Sequence, residues 1–286
     1  MFVEKDKILQ GSKGSYRVIE LIGSGKIGNV WKSQAISSNQ KVAIKVLHSE
    51  NFNVADVHVE RFNREKNLGQ SLKHSNLVEV VDGIISSDDK DQNFLVMEYV
   101  EGPPLSKLIE ELNKKERIQI AVDIISGLNY LHEKSLIHRD LKPDNIIVTE
   151  DGNAIICDFG LLKEIQDPYH LTHRDDKIGS SLYISKHQAA NPAKADKLDD
   201  IYSLCVCLYE IFTATQIRIS WQTQPFKFGN EKLKELISSV LSEKIERSDY
   251  PSLKEILDFG QIICQIFFGI WRKSISSVYT EQENAT

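Results

Sequence analysis

The chain has 286 residues, 41% hydrophobic and 27% charged, enough to bury a sizeable core in one large domain or two small lobes. A formal net charge of −6 leaves no basic excess for gripping a polyanion, which sets nucleic acid aside as a partner. Four cysteines, Cys157, Cys205, Cys207 and Cys264, form neither a CxxC pair nor a small secreted framework, and they read as buried thiols of a cytoplasmic protein.

The opening "MFVEKDKILQGSKG" mixes charge with short apolar pairs, so no signal peptide is expected, and no run reaches membrane-spanning length. "YRVIELIGSG" alternates and then breaks at glycines, "NVWKSQAI" follows, and "KVAIKVL" is rich in Val and Ile, which predicts an antiparallel meander. "VHVERFNREKNLGQSLKH" sets Val59, Phe62 and Leu68 at broadly helical spacing before "NLVEVVDGII" and "NFLVMEYV" return to strand. "ERIQIAVDIISGLNYLHEK" places Ile120, Ile124, Ile125, Leu128 and Leu131 at helical offsets, predicting a helix buried on one face. "NIIVTEDGNAIICDFG" reads as a hairpin turning at Asp151 and Gly152, and helical patterns dominate from residue 196, starting with "DDIYSLCVCLYEIF". The expected fold is α+β and bilobal: five antiparallel strands with one helix, a hinge near "EYVEGPP", then a larger, mainly helical lobe.

Three clusters carry chemistry. In "GSGKIGNV", Gly23, Gly25 and Gly28 lie between strands, where glycine lets backbone amides approach phosphates; a plain hairpin turn is the competing explanation. A strand follows this loop, unlike the helix that follows a Rossmann fingerprint. Lys45 closes the apolar strand "VAIK", and a buried ammonium must pair or reach a phosphate; Glu65 on the next helix is the first choice of partner and Glu60 the second. "HRDLKPDN" packs His138, Arg139, Asp140, Lys142 and Asn145 into eight residues, with "DFG" after the hairpin. Asp140 can take a proton from an attacking hydroxyl, Lys142 can neutralise a transferring phosphoryl group, and Asn145 with Asp158 can hold Mg²⁺ through oxygen.

These motifs, in this order, resemble the eukaryotic-type (Hanks-type) Ser/Thr protein kinases from about Tyr16 to Leu257, most closely the bacterial members. The resemblance implies a kinase N-lobe over residues 16–100 and a C-lobe over 101–260, shortened after 212, between an N-terminal extension (1–15) and a C-terminal helix and tail (261–286). It implies ATP and Mg²⁺ as cofactors and a protein as substrate. Gly23, Gly25, Gly28, Val30 and Ala43 are then ATP-binding, Lys45 binds phosphates while paired with Glu65, and Asp140 is the catalytic base assisted by Lys142. Asn145 and Asp158 become metal ligands. "LVMEYVEG" is similar to the family hinge, with Met97 as gatekeeper and the backbone of Glu98 and Val100 facing adenine. Lys142 in "LKPDN" resembles Ser/Thr rather than Tyr kinases. The second "DFG", at 258–260, has no catalytic loop before it, and Asp258 reads as a helix-end residue.

Where the family carries Ala-Pro-Glu, this chain has Ser185, Lys186 and His187. One alignment sets Asp249 at the place of the arginine that pairs with that glutamate, making His187 and Asp249 a swapped base–acid pair. The rival takes Arg247 as the family arginine with a different partner. Asp200 matches the aspartate that steadies the catalytic loop, although Cys205 stands where the family has glycine. Arg139 can clamp a phosphate on the following loop, with Thr172 as first candidate and Ser180 or Ser181 behind it; the resemblance also sets Ser180 where a family threonine contacts the catalytic base. "GQIICQIFFGIWRKS" aligns Ile262, Ile263, Ile266, Phe267, Ile270 and Trp271 on one face, either packed on the helical lobe or offered through residues 262–273 to a partner or membrane surface. The resulting expectation is a cytoplasmic Ser/Thr protein kinase that also phosphorylates itself. A pseudokinase scaffold is the alternative, and a small-molecule phosphotransferase stands behind both.

Overall fold

The computed structural model describes residues 3–25, 28–47, 55–85, 93–159, 162–164, 182–215, 231–242 and 245–256, without the side chains of 55–61, 163 and 164. Thr172, Ser180, Ser181, Asp258, Cys264 and the 262–273 face lie outside the described residues.

The strands of the first lobe are β1 (Ile8–Gln10), β2 (Ser15–Ser24), β3 (Gly28–Ala35), β4 (Lys41–Leu47), β5 (Val80–Ile84) and β6 (Phe94–Glu98), of which β2 to β6 fall on the predicted segments. They form one antiparallel sheet in the order β1-β2-β3-β4-β6-β5. Alternation along β2 and the apolar run of β4 send Val18, Val42, Ile44, Val46, Phe94 and Val96 into a single cluster, while α1 (Ala55–Ser71) packs on β5.

The sheet has six strands, one more than the sequence suggested, because the N-terminal extension joins it: Ile8 pairs with Arg17 and Gln10 with Ser15. A buried carboxylate explains why. Asp82 on β5 is fully buried and accepts hydrogen bonds from the Lys13 N–H at 2.9 Å, the Tyr16 hydroxyl at 2.7 Å and the Gly83 N–H at 2.8 Å. Ser12 donates to it through both its N–H and its hydroxyl. β1 and β5 are the two edges of the sheet, so this carboxylate ties one edge to the other and curls the sheet.

The second lobe is built on α2 (Lys114–Glu133), whose start is set by a capping box: Asn113 Oδ1 accepts from the N–H groups of Lys115 and Glu116, and Glu116 accepts from the Asn113 N–H. Ile120, Ile124, Leu128 and Leu131 on α2 are fully buried, as their spacing predicted. β8 (Ile146–Val148) and β9 (Ala154–Ile156) form the expected hairpin, with Gly152 at φ 80° in its turn. β7 (Leu136–Ile137) pairs with β10 (Lys163–Glu164). α3 (Lys186–Ala190), α4 (Lys197–Thr213) and α5 (Glu231–Leu241) complete the described elements. α4 is buried along nearly its whole length, with Asp199, Asp200, Ser203 and Glu210 among its buried residues, and it contacts α2 and α5. Cys205 and Cys207 on it are buried and unpaired, and Cys157 is half-buried and unpaired. Among the described residues no helix is long and apolar enough to cross a membrane.

Candidate active site

The register of the sheet brings Lys45 beside Val30 on β3 and Leu95 on β6, with its side chain turned toward α1. Its Nζ lies 3.0 Å from both Glu65 oxygens and 2.7 Å from Asp158 Oδ1. Burial alone would lower the Lys45 ammonium, but Asp158 and Glu65 outweigh it and hold it above the ordinary lysine range. Burial pushes the Glu65 carboxyl up to about 6 despite Lys45, so Glu65 is the member of the pair that takes a proton on acidification. The side chain of Glu60, the second choice, lies outside the described residues.

Between β7 and β8, Asp140 Oδ2 accepts from Lys142 Nζ at 2.7 Å and from Asn145 Nδ2 at 2.9 Å. Asn145 Nδ2 also donates to the Asp140 carbonyl at 2.8 Å, so the amide oxygen of Asn145 takes part in neither bond. Among the described residues nothing donates to Asp140 Oδ1. Two non-glycine residues are left-handed here, Arg139 at φ 69° and Asp158 at φ 64°, each at a cost of about 1–3 kcal/mol. Asp200 holds the first of them, as expected: its oxygens accept the His138 and Arg139 N–H groups, both at 2.8 Å, and His132 Nε2 lies 2.8 Å away. Burial would raise the Asp200 carboxyl, but these partners keep it below the usual range. Phe159, the residue after Asp158, is 1% exposed and meets the His138 ring edge-on at 6.1 Å.

The sequence profile of the protein kinase domain matches residues 16–267. This chain belongs to the protein kinase domain family. It is 34% identical over 203 residues to Serine/threonine-protein kinase PrkC of Bacillus subtilis, covering 70% of this chain and 30% of that protein. It is 35% identical over 202 residues to Probable serine/threonine-protein kinase PknB of Lactococcus lactis, at 69% and 31% coverage. Serine/threonine-protein kinase PknB of Mycobacterium leprae is 31% identical over 202 residues, at 69% and 32%. The chain thus spans just under a third of the length of these curated relatives.

In this kinase domain the three glycines of the loop have different reasons to be glycine. A Cβ on Gly28 would stand 2.2 Å from the Val46 carbonyl, so the close approach of β3 to β4 requires it. Among the described residues, a Cβ on Gly23 or Gly25 would meet nothing nearer than 3.5 Å, so packing there makes no such demand. Ala43 and Met97 are buried and directly paired across β4 and β6, while Val30, Glu98 and Val100 are half-buried. The Glu98 N–H donates to the Glu79 carbonyl at 2.9 Å, so this N–H is already engaged within the protein. A cavity of about 630 Å³ borders residues 98–101, between Glu98, Tyr99, Lys73 and Glu150; neither Lys45, Asp140 nor Asp158 lines it.

Two supports of the site escaped the sequence reading. Gly69, one turn after Glu65, lets α1 lie against β5, since a Cβ there would stand 2.4 Å from Val80 Cγ2 and 3.8 Å from Phe159. A glycine inside a helix costs about 1 kcal/mol against alanine, and that was the available signal. Asp123 on α2 accepts from the Ala154 N–H at 2.9 Å and Gln119 at 2.8 Å, tying the hairpin that leads to Asp158 onto α2; burial raises its carboxyl to about 6.

The swapped pair of His187 with Asp249 is not formed, because Asp249 is exposed. Arg247 has a different partner, as the rival alignment required: Nη1 donates to Asp199 Oδ1 at 2.8 Å and Nη2 to Asp196 Oδ1 at 2.6 Å. His187 Nδ1 lies 3.1 Å from Asp199 Oδ2, and the Ser185 hydroxyl donates to Asp199. The physical reason is that Asp199 sits fully buried at the start of α4, where it also accepts the Asp196 N–H of a capping box. His187, Asp196 and Asp199 offer ligand atoms within 4.8 Å of one another, but the guanidinium of Arg247 already lies on both carboxylates. The cluster is an ion-paired anchor rather than a metal site.

Proposed function

We propose that this chain is an ATP-dependent Ser/Thr protein kinase that transfers the γ-phosphoryl group of Mg-ATP to protein hydroxyls, its own among them. The observation that carries the reading is the Lys45 ammonium held at once by Glu65 and Asp158, facing a catalytic loop in which Asp140 keeps one oxygen for a substrate. Glu65 orients Lys45 toward the phosphates, and Gly23 and Gly25 let the loop above come close to them. Asp140 Oδ1 receives the hydroxyl proton of the acceptor while Lys142 and Asn145 fix the other oxygen. Lys142, 2.7 Å from that carboxylate, also faces the charge that develops on the transferring group.

Mg²⁺ suits the donor set present: a half-exposed Asp158 carboxylate and an amide oxygen of Asn145 left over by its own hydrogen bonds, both hard oxygen ligands. When bound, the ion neutralises phosphate charge and orients the triphosphate. Adenine is assigned to the hinge through the backbone of Glu98 and Val100, between Val30, Ala43 and Met97. Arg139 is assigned to a phosphate on the segment carrying Thr172, with Ser180 serving the catalytic base. Ser/Thr specificity rests on Lys142 in "LKPDN" and on the relatives, which are named serine/threonine-protein kinases. Unpaired Cys157, Cys205 and Cys207 support a reducing, ATP-supplied cytoplasm as its location.

The test incubates purified protein and an Asp140→Asn variant with labelled ATP and Mg²⁺. Label on the wild type alone supports the kinase, and mapping it by mass spectrometry checks Thr172. No transfer to the protein or to added Ser/Thr peptides would reject the reading.

A further inference from the structure

We infer that Gln188 is a positioning residue for the catalytic aspartate, a role that rests on the phosphotransfer reading above. Gln188, 1% exposed on α3, donates from Nε2 to the carbonyl of Arg139 at 2.8 Å. Arg139 is the left-handed residue directly before Asp140, and its own N–H is held by Asp200 at 2.8 Å. A non-glycine residue stays at φ 69° only where its surroundings over-determine it. Asp200 grips one side of Arg139 and Gln188 grips the other, on the peptide that leads into Asp140. If that peptide turns, the Asp140 carboxylate moves with it.

Gln188 can act this way because α3 is itself fastened to α4. Its N–H donates to the Ser185 hydroxyl at 3.0 Å, and Ser185 and His187 both rest on Asp199, which Arg247 holds from the far side. Just upstream, the Tyr183 hydroxyl donates to Glu210 at 2.9 Å, and Ser203 donates to the Tyr183 carbonyl at 2.7 Å. A rigid path therefore runs from Arg247 through Asp199 and α3 to the backbone of the catalytic loop. The orientation of the Gln188 amide supports a task beyond packing: its Oε1 is buried and accepts no hydrogen bond among the described residues. An unused buried carbonyl is destabilising, and an apolar side chain of the same length would avoid it. Glutamine fits here for its donor.

The experiment compares wild type, Gln188→Met, Gln188→Glu and Asp140→Asn in steady-state phosphotransfer and thermal melting. Gln188→Met removes the donor together with the unused carbonyl, so melting is expected to stay near wild type. Its kcat should fall about tenfold while the KM for ATP stays within twofold. Gln188→Glu offers Arg139 a donor only when protonated, so its kcat relative to wild type should rise as pH falls from 8 to 6.5. A folded Gln188→Met with wild-type kcat, or a loss confined to KM, overturns the role. Should Gln188→Met not fold, a flat pH ratio for Gln188→Glu overturns it alone. A wild type no more active than Asp140→Asn instead rejects the phosphotransfer reading, and this role with it.

Discussion

Arg247 donates to Asp199 over 2.8 Å, and the acceptor is completely buried while the guanidinium is 28% exposed. Removing the cation leaves Asp199 with Ser185, His187 and the Asp196 N–H, so the loss should fall short of that for a fully buried pair. Arg247→Met is expected to cost about 2 kcal/mol in urea unfolding. Asp249→Ala, at an exposed position, should stay within about 0.5 kcal/mol. Equal effects at the two positions would contradict the anchor described above.

Under the proposed function, Glu65 links ATP binding to pH. Its carboxyl is raised from 4.5 to about 6, so between those values the folded chain holds a proton that the unfolded chain releases. Its contribution to stability therefore decreases as pH rises through that window, and the ionised form that orients Lys45 dominates only above it. ATP affinity of the wild type should drop as pH falls below about 6, measured as a ratio to Glu65→Gln so that titration of ATP cancels. Glu65→Gln should bind ATP more weakly at pH 7.5 yet melt no lower. A pH-independent ratio would remove the link.

Asp82 acts in the opposite sense. Burial alone would raise its carboxyl, but the donors from Ser12, Tyr16, Lys13 and Gly83 bring it below the ordinary value. Its stabilisation is present above the unfolded value of roughly 4 and is lost as pH falls through the lower folded one. Asp82→Asn turns a donor toward a ring of donors and should cost about 2–4 kcal/mol near pH 7, with the penalty shrinking in acid. Chemical denaturation at pH 7 and pH 3 gives both numbers, and a penalty that is equal at the two would argue against a charged Asp82.

Gly69→Ala sets two effects against each other. Alanine favours the helix by about 1 kcal/mol, but its Cβ would overlap Val80, an overpacking of about 1–3 kcal/mol. Relief by movement of α1 would carry Glu65 away from Lys45. Phosphotransfer is therefore expected to fall more than stability does, and Val80→Ala added to Gly69→Ala should restore it. A double variant no more active than Gly69→Ala would place the defect elsewhere.

What the sequence determined by itself was everything set by local spacing. Lys45, Glu65, Asp140, Lys142, Asn145 and Asp158 stood out because they lie in short, ordered motifs, and strand alternation and helical periodicity put them on the elements where the structure has them. Asp200 was also legible, since it belongs to such a motif. Only the tertiary structure decided which charges meet across long separations. Asp82 lies 70 residues from Ser12, and nothing local marks it as the acceptor that brings the N-terminal strand into the sheet. The sequence left Arg247 without a named partner, and the fold supplied one far along the chain: Asp199, shielded at the cap of α4, leaves a stronger field for a cation than exposed Asp249. Gln188 carries no charge and no motif signal, and its place beneath Arg139 follows from the docking of α3 on α4.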